Sequence, residues 1–303
     1  MKKLEQRFLS IQKEIFSVYS KMELSKKTDI IQDSWKRPEG GGGKTCVIQN
    51  GNIFDNSAVN FSSIYGSKLP KSALGNSKVK STRYGFQAMG VSVICHPKNP
   101  NIPTSHMNIR LFCILNKNKQ IKDWWIGGGY DLTPYVIYKD DINNWHSQAK
   151  TNLDKFDRSF YKFFSKTCNE YFYIPHRNER RGVGGIFFDN KQYKSIDSSI
   201  NLLESIAKTY LTSYKELVNA RKKETFTKED KQFQEIRRGR YVEFNLVNDR
   251  GTAFGLQSNG RIPSILSSLP LNASWVYKKS KSMETREKKL IKMLNKDWNV
   301  QSF

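Results

Sequence analysis

Two short segments alternate apolar and polar residues with the period of a β-strand, and they impose a two-faced sheet on the middle of this chain. Along Val91–His96, the side chains of Val91, Val93 and Cys95 fall on one face, with Ser92, Ile94 and His96 on the other. Along His106–Cys113, Met107, Ile109, Leu111 and Cys113 point inward, leaving His106, Asn108 and Arg110 in a row on the opposite face. A merely solvated face would carry Lys, Thr and Glu. A histidine, an amide and a guanidinium in one row mark a surface that binds or reacts.

The pattern around this pair extends the sheet. Residues from about 45 to 115 are strand-like, broken by turn clusters such as KLPKSALGNSK (68–78) and HPKNPNIPT (96–104). Hairpin-type turns between successive strands favour an antiparallel arrangement. Helical spacing of Leu4, Phe8, Ile11, Ile15 and Val18 predicts an N-terminal helix within residues 1–31. Further helical patterns cover 139–172, 196–223 and 283–297, and a capping box at Thr227–Asp230 opens a helix to about 237. YVEFNLV (241–247) alternates as a strand. No internal repeat and no linker divides the chain, so residues 1–303 read as one α+β domain, a largely antiparallel sheet covered by helices.

Hydrophobic residues make up 37% of the chain and aromatics 13%, enough to build a core rather than remain disordered. No apolar run reaches bilayer length, which argues against an integral membrane protein. The first twenty residues scatter charges, including Glu5 and Glu14, unlike a secretory signal or a mitochondrial presequence; a cytoplasmic protein is expected. Cys46, Cys95, Cys113 and Cys168 form no C-x-x-C pair and read as reduced thiols. Lys plus Arg total 51 against 28 acids, a net charge of +23 that draws anionic partners. The lysines are spread along the chain, whereas the arginines gather in the motif segments, where their planar fork suits carboxylate or phosphate.

GGGGKT at 40–45 resembles a phosphate loop only superficially. That motif needs a glycine where Pro38 stands, so a loop bringing backbone amides near a ligand is the better reading. His96, His106, His146 and His176 are all the histidines of the chain, and their separations of 10, 40 and 30 residues match no compact metal motif. In WWIGGGYDLTPY, Asp131 follows three glycines and serves either as a base near a ligand or as a turn cap. HRNERRGVGGIFFD (176–189) and RRGRYVEFNLVNDRGTAFGLQSNGR (237–261) supply many cations; some are expected to pair internally with Glu179, Asp189, Glu243 and Asp249. Basic and aromatic residues interleave as in nucleic-acid binders, but no helix-turn-helix, zinc-finger or RNP-type pattern accompanies them.

RPEGGGGKT, HPKNPNIPTSHMNIR, WWIGGGYDLTPY, HRNERRGVGGIFFD and RRGRYVEFNLVNDRGTAFGL, in that order, resemble the signature segments of oxygen-dependent coproporphyrinogen III oxidase from about Trp35 to Trp298. FDNSAVN (54–60) and SNGR (258–261) depart from the family's usual runs without removing a charged type. The resemblance implies a homodimer whose subunits carry a large, mainly antiparallel sheet flanked by helices on both sides. It implies oxidative decarboxylation of the ring A and B propionates of coproporphyrinogen III to vinyl groups, giving protoporphyrinogen IX, carbon dioxide and hydrogen peroxide, in haem and chlorophyll biosynthesis. Dioxygen is then a co-substrate and no organic cofactor is needed. By the same resemblance Ser92, Asn108, Ile109, Arg110, Asn259, Gly260 and Arg261 bind substrate, with Arg110 and Arg261 as propionate anchors. Asp131 meets the pyrrole nitrogens and accepts a proton, and His106 donates one. His96, His106, His146 and His176 match positions assigned in bacterial members to a divalent metal such as manganese. A nucleic-acid binder and a porphyrin carrier are the rival readings; the second would leave Asp131 dispensable.

Overall fold

The computed structural model describes residues 1–23, 27–67, 85–257 and 259–298. Its centre is a seven-stranded sheet made of β1 (Asp29–Lys36), β2 (Gly41–Gln49), β3 (Phe54–Gly66), β4 (Phe86–Pro97), β5 (Thr104–Leu115), β6 (Ile121–Thr133) and β9 (Gly185–Lys191). β1 to β6 form a meander in which each strand pairs antiparallel with the next, and β9 joins the far side of β6. The KLPKSALGNSK turn lies outside the described residues.

One face of the sheet is the apolar face read from the sequence. Val91, Val93, Cys95, Met107, Ile109, Leu111 and Cys113 are all buried there. They pack beneath α1 (Lys2–Met22), α2 (Lys139–Leu153), α3 (Phe160–Tyr171), α4 (Ile196–Arg221) and α8 (Lys281–Leu294). Each such aliphatic or aromatic side chain stabilises the fold by roughly 1.5–3 kcal/mol. The long α4 begins at Ser195, whose side chain accepts from the Ser198 N–H, and lays Ile200, Leu203, Ile206, Tyr210, Tyr214 and Leu217 at helical spacing onto this core.

The opposite face is covered by α5 (Lys228–Glu243), a π-turn (Phe244–Asn248), α6 (Arg250–Gln257) and α7 (Ile262–Leu266). A two-stranded ribbon, β7 (Tyr173–Ile174) with β8 (Glu179–Arg180), lies beside β9 in sequence. Helices therefore flank the sheet on both sides.

Three expectations need correction. The N-terminal helix ends at Met22 rather than near residue 31, because Ile30 and Ile31 enter β1, an exposed edge strand. The glycine run is not a loop: Gly41–Gly43 belong to β2, and Gly43 lies directly beneath the Trp35 ring, where a side chain would clash. YVEFNLV is not a strand. The capping box at Thr227 and Asp230 forms as read, and the helix it starts runs on to Glu243 before widening into the π-turn. Tyr241, Phe244 and Asn245 share a face at i, i+3 and i+4, and all three are buried; that spacing won over the alternation. The pattern at 139–172 is two helices, α2 and α3, separated by residues 154–159.

Candidate active site

The sheet register assembles a polar band on the second face. On β4 and β5, Ser92 stands opposite Asn108, and Ser92 is in turn opposite Asn60 of β3, which pairs with Thr45 of β2. One step along, His106 is opposite Asp131 of β6; one step the other way, Arg110 is opposite Gly127. Residues paired across antiparallel strands lie on the same face, so each pairing delivers both side chains to one surface. Alternation thus places Ser92, His106, Asn108 and Arg110 together, as the sequence predicted.

His106 and Asp131 are in direct polar contact at one end of this band. The imidazole Nδ1 lies 2.9 Å from Asp131 Oδ1. Asp131 is 1% exposed, and both its oxygens are engaged: Arg181 donates from Nη2 to Oδ1 at 2.6 Å and from Nε to Oδ2 at 3.1 Å. With Oδ1 accepting, His106 carries its proton on Nδ1, which turns Nε2 into the nitrogen available to the cleft. Burial alone would push the Asp131 carboxyl up. The Arg181 guanidinium and His106 outweigh it and hold the group below the usual carboxylate range.

Arg181 itself is walled in by aromatic rings. Its guanidinium carbon sits 4.1 Å from the Phe172 ring centre, 4.7 Å from Phe244 and 4.8 Å from Tyr241. Those rings come from the end of α3, the π-turn and α5, so three elements converge on one cation. Cation–π contact of this kind is worth about 2 kcal/mol when desolvated. The π-turn is what brings Phe244 in: the Asp249 N–H donates to the Phe244 carbonyl, five residues back, at 2.9 Å. Asp249 then caps α6 by accepting from the Thr252 N–H and hydroxyl, both at 2.8 Å, and takes the Tyr171 hydroxyl at 2.7 Å.

Arg110 lies at the side of this centre. Its Nη2 is 2.9 Å from Asp189 Oδ1, and Nη1 donates to Asn108 Oδ1 at 3.2 Å. Arg250 approaches the other Asp189 oxygen at 3.6 Å. The glycines of WWIGGGYD serve neighbouring protein groups. At Gly129 (φ +151°) a Cβ would stand 2.0 Å from the Ile186 carbonyl, so the glycine lets β9 lie close to β6.

Residues 250–257 and 259–266 cross the band. Phe254 packs edge-on against Phe112, which stacks on Trp125. The Gly260 N–H donates to the Gly255 carbonyl at 2.8 Å, and Asn259 takes a left-handed φ of +55°. Arg261 is ion-paired with Asp33 of β1, and Ser264 links to Thr45 Oγ1 at 2.7 Å while its carbonyl accepts from Asn60 Nδ2 at 3.0 Å.

Not every expected residue faces this surface. Ile109 is fully buried on the opposite, apolar face, so only its main chain is available to a ligand. Asp131 reaches the cleft through His106 rather than directly, because its oxygens are already committed. The four histidines are not brought together. His96 is buried at the end of β4, with Nε2 3.0 Å from the Ser268 carbonyl and Nδ1 3.3 Å from Thr104 Oγ1. His146 is buried on α2, with Nε2 3.0 Å from the Val183 carbonyl and Nδ1 3.1 Å from the Tyr161 hydroxyl. His176 is exposed and pairs with Glu243 at 2.8 Å. Among the described residues no group of three or more His, Cys, Asp or Glu side chains is placed to hold a metal ion, so this set does not fit a shared manganese. Many of the remaining motif arginines are structural: Arg237 pairs with Glu179 and Glu287, and Arg177 and Arg240 with Glu243.

A model of the coproporphyrinogen III oxidase family matches residues 3–299. The chain belongs to that family. A coproporphyrinogen III oxidase of the oxygen-dependent kind converts coproporphyrinogen III to protoporphyrinogen IX by oxidative decarboxylation, a step of haem biosynthesis. The polar band, roofed by α5–α7, brings cations and an imidazole to one surface. Arg181, Tyr171, Asp189, Asp249 and Arg250 were not singled out from the sequence as site residues. The density of arginines beside aromatic residues in 176–189 and 237–261 was the available signal, but it did not separate Arg181 from its structural neighbours.

Proposed function

We propose that the family reaction runs here on the β4–β6 band, with His106 as the residue that exchanges protons with the substrate. The His106–Asp131–Arg181 chain carries this reading: an imidazole on the cleft side, a low-lying carboxylate behind it, and a caged guanidinium behind that. The carboxylate fixes the ring and stabilises the imidazolium, while Arg181 keeps Asp131 ionised and aligned. His106 Nε2 takes the pyrrole N–H proton, raising electron density in the ring that dioxygen oxidises, and returns a proton to the reduced oxygen. Per propionic acid arm, R–CH2CH2COOH plus O2 gives R–CH=CH2, CO2 and H2O2; the arm loses two electrons and dioxygen gains them. No organic cofactor is required.

Arg110 and Arg261 anchor substrate carboxylates, with Ser92, Asn108, Asn259, Gly260 and the Ile109 main chain setting ring position. Charge-assisted contacts of this type contribute roughly 1.5–3 kcal/mol each. A homodimer is part of the same reading. Its support is the set of strongly exposed apolar side chains Leu246, Val247, Ile262, Trp275 and Tyr277 in the stretch between α5 and α8; sedimentation at micromolar concentration reads it. The four cysteines are free and buried, which supports a reducing, cytoplasmic setting, and no helix among the described residues is long and apolar enough to cross a membrane.

The test is aerobic turnover of coproporphyrinogen III followed by porphyrin fluorescence. His106→Ala is expected to lower kcat by about a hundredfold to ten-thousandfold, the range of a lost acid–base group. Asp131→Asn should lower kcat more than it raises KM. Wild-type turnover should survive exhaustive dialysis against EDTA. A His106→Ala enzyme with normal kcat removes the assignment, and loss on chelation that manganese restores removes the metal-free reading.

A further inference from the structure

We propose that Asp189 and Asp33 are resident stand-ins for substrate carboxylates and that they determine which anions the cleft accepts. This rests on the reading that Arg110 and Arg261 hold the substrate's acid arms. Both anchors are already paired within the chain: Arg110 with Asp189 at 2.9 Å, and Arg261 with Asp33. The Arg110 pair is built into the sheet. Gly127 leaves open the space it fills, since a Cβ there would stand 2.6 Å from Asp189 Oδ1 and 3.0 Å from Arg110 Nε.

Among the described residues the charges of this network balance: four guanidiniums (Arg110, Arg181, Arg250, Arg261) stand among four carboxylates (Asp33, Asp131, Asp189, Asp249), whereas the whole chain carries +23. Two of the carboxylates are fixed. Asp131 and Arg181 are each 1% exposed, and Asp249 is held by Tyr171 and Thr252. The other two lie where solvent reaches them, the Asp189 side chain 25% and the Asp33 side chain 44% exposed. An entering carboxylate therefore exchanges with a resident one rather than filling a bare positive site. Asp189 keeps Arg250, 3.6 Å away, as its partner when Arg110 turns to the substrate. A lone inorganic anion gains one guanidinium and breaks one ion pair, a near-neutral exchange. A ligand with two suitably spaced carboxylates releases both aspartates and is preferred.

The experiment replaces charge but keeps shape, with Asp189→Asn and Asp33→Asn in the full chain. Inorganic phosphate is titrated by thermal shift, and KM and kcat are measured with coproporphyrinogen III. Asp189→Asn is expected to bind phosphate about tenfold more tightly than wild type, the equivalent of one charge-assisted contact, and to lower KM. Asp33→Asn should move both in the same direction by less, and Asp189→Glu should restore the wild-type phosphate affinity. Unchanged phosphate affinity in both Asn variants, or a KM that rises in both, overturns the proposal. The phosphate titration needs no turnover. It therefore reports on the two aspartates even if the wild-type chain left coproporphyrinogen III intact, a result that would strike the proposed reaction instead.

Discussion

Gly127 faces a carboxylate and a guanidinium at distances a methyl group cannot share. The clash would fall on the ends of two flexible side chains, so Gly127→Ala should fold but displace Arg110. KM for coproporphyrinogen III is expected to rise about tenfold, the loss of one aligned ionic contact, with a much smaller change in kcat. Equal KM for the two proteins would show that Arg110 does not need its present position. The same scale shows why some site residues are legible in a sequence and others are not. His106, Asn108 and Arg110 follow from strand alternation alone, and the alternation that exposes them also assigns Ile109 to the core. Arg181 follows from no local pattern. Its role depends on rings from Phe172, Tyr241 and Phe244, which meet only after three elements have packed.

At the scale of elements, α5 is fixed by buried charges as well as by the apolar side chains Phe233, Ile236 and Tyr241. Arg237 donates to Glu179 of β8 at 2.9 Å and 3.2 Å and to Glu287 of α8 at 3.0 Å, all with little solvent access. Removing Arg237 takes the closest guanidinium from both buried carboxylates, leaving Arg240 at 3.7 Å from Glu179 and 3.4 Å from Glu287, with Lys279 also on Glu287. Arg237→Ala is expected to cost about 3–5 kcal/mol in urea denaturation, well above the cost of an exposed arginine. Much of the element order was readable in advance: the hairpin strands, the capped start of α5, the helices near both termini. The misreadings share a cause. YVEFNLV and the glycine run each satisfied a local rule, and a long-range contact decided otherwise: buried packing of Tyr241 against Val47, Ala58 and Ile94, and pairing of Gly41–Gly43 with β1 and β3.

For the whole molecule, the two fully buried histidines govern behaviour in acid. Burial pushes His96 down to about 3 and His146 down to about 4. Both stay neutral in the fold, whereas in an unfolded chain a histidine takes its proton near pH 6.5. Their contribution is complete above about pH 6.5 and shrinks as pH falls, because only the unfolded chain binds protons there. At pH 5 each should lower stability by about 2 kcal/mol relative to pH 7. His146→Gln should flatten the decline between those values in urea titrations; an unchanged slope would place the acid sensitivity elsewhere. The family resemblance had implied the two-sided helical cover, and the match over residues 3–299 agrees with it. The same resemblance suggested a histidine quartet around one ion, which the packing of His96 and His146 against backbone carbonyls does not allow.

The meander has a temporal consequence. Strands β1 to β6 each pair with a neighbour close in sequence, so that part of the sheet can zip up from hairpins. β9, however, docks on β6 only after a stretch holding α2, α3 and the β7–β8 ribbon has been laid down. Arg181 lies between β8 and β9, four residues before β9 begins. A nascent chain halted before that step would display the imidazole and its acid but lack the cation that holds the acid ionised, so catalytic competence should arrive with the last strand rather than with the core.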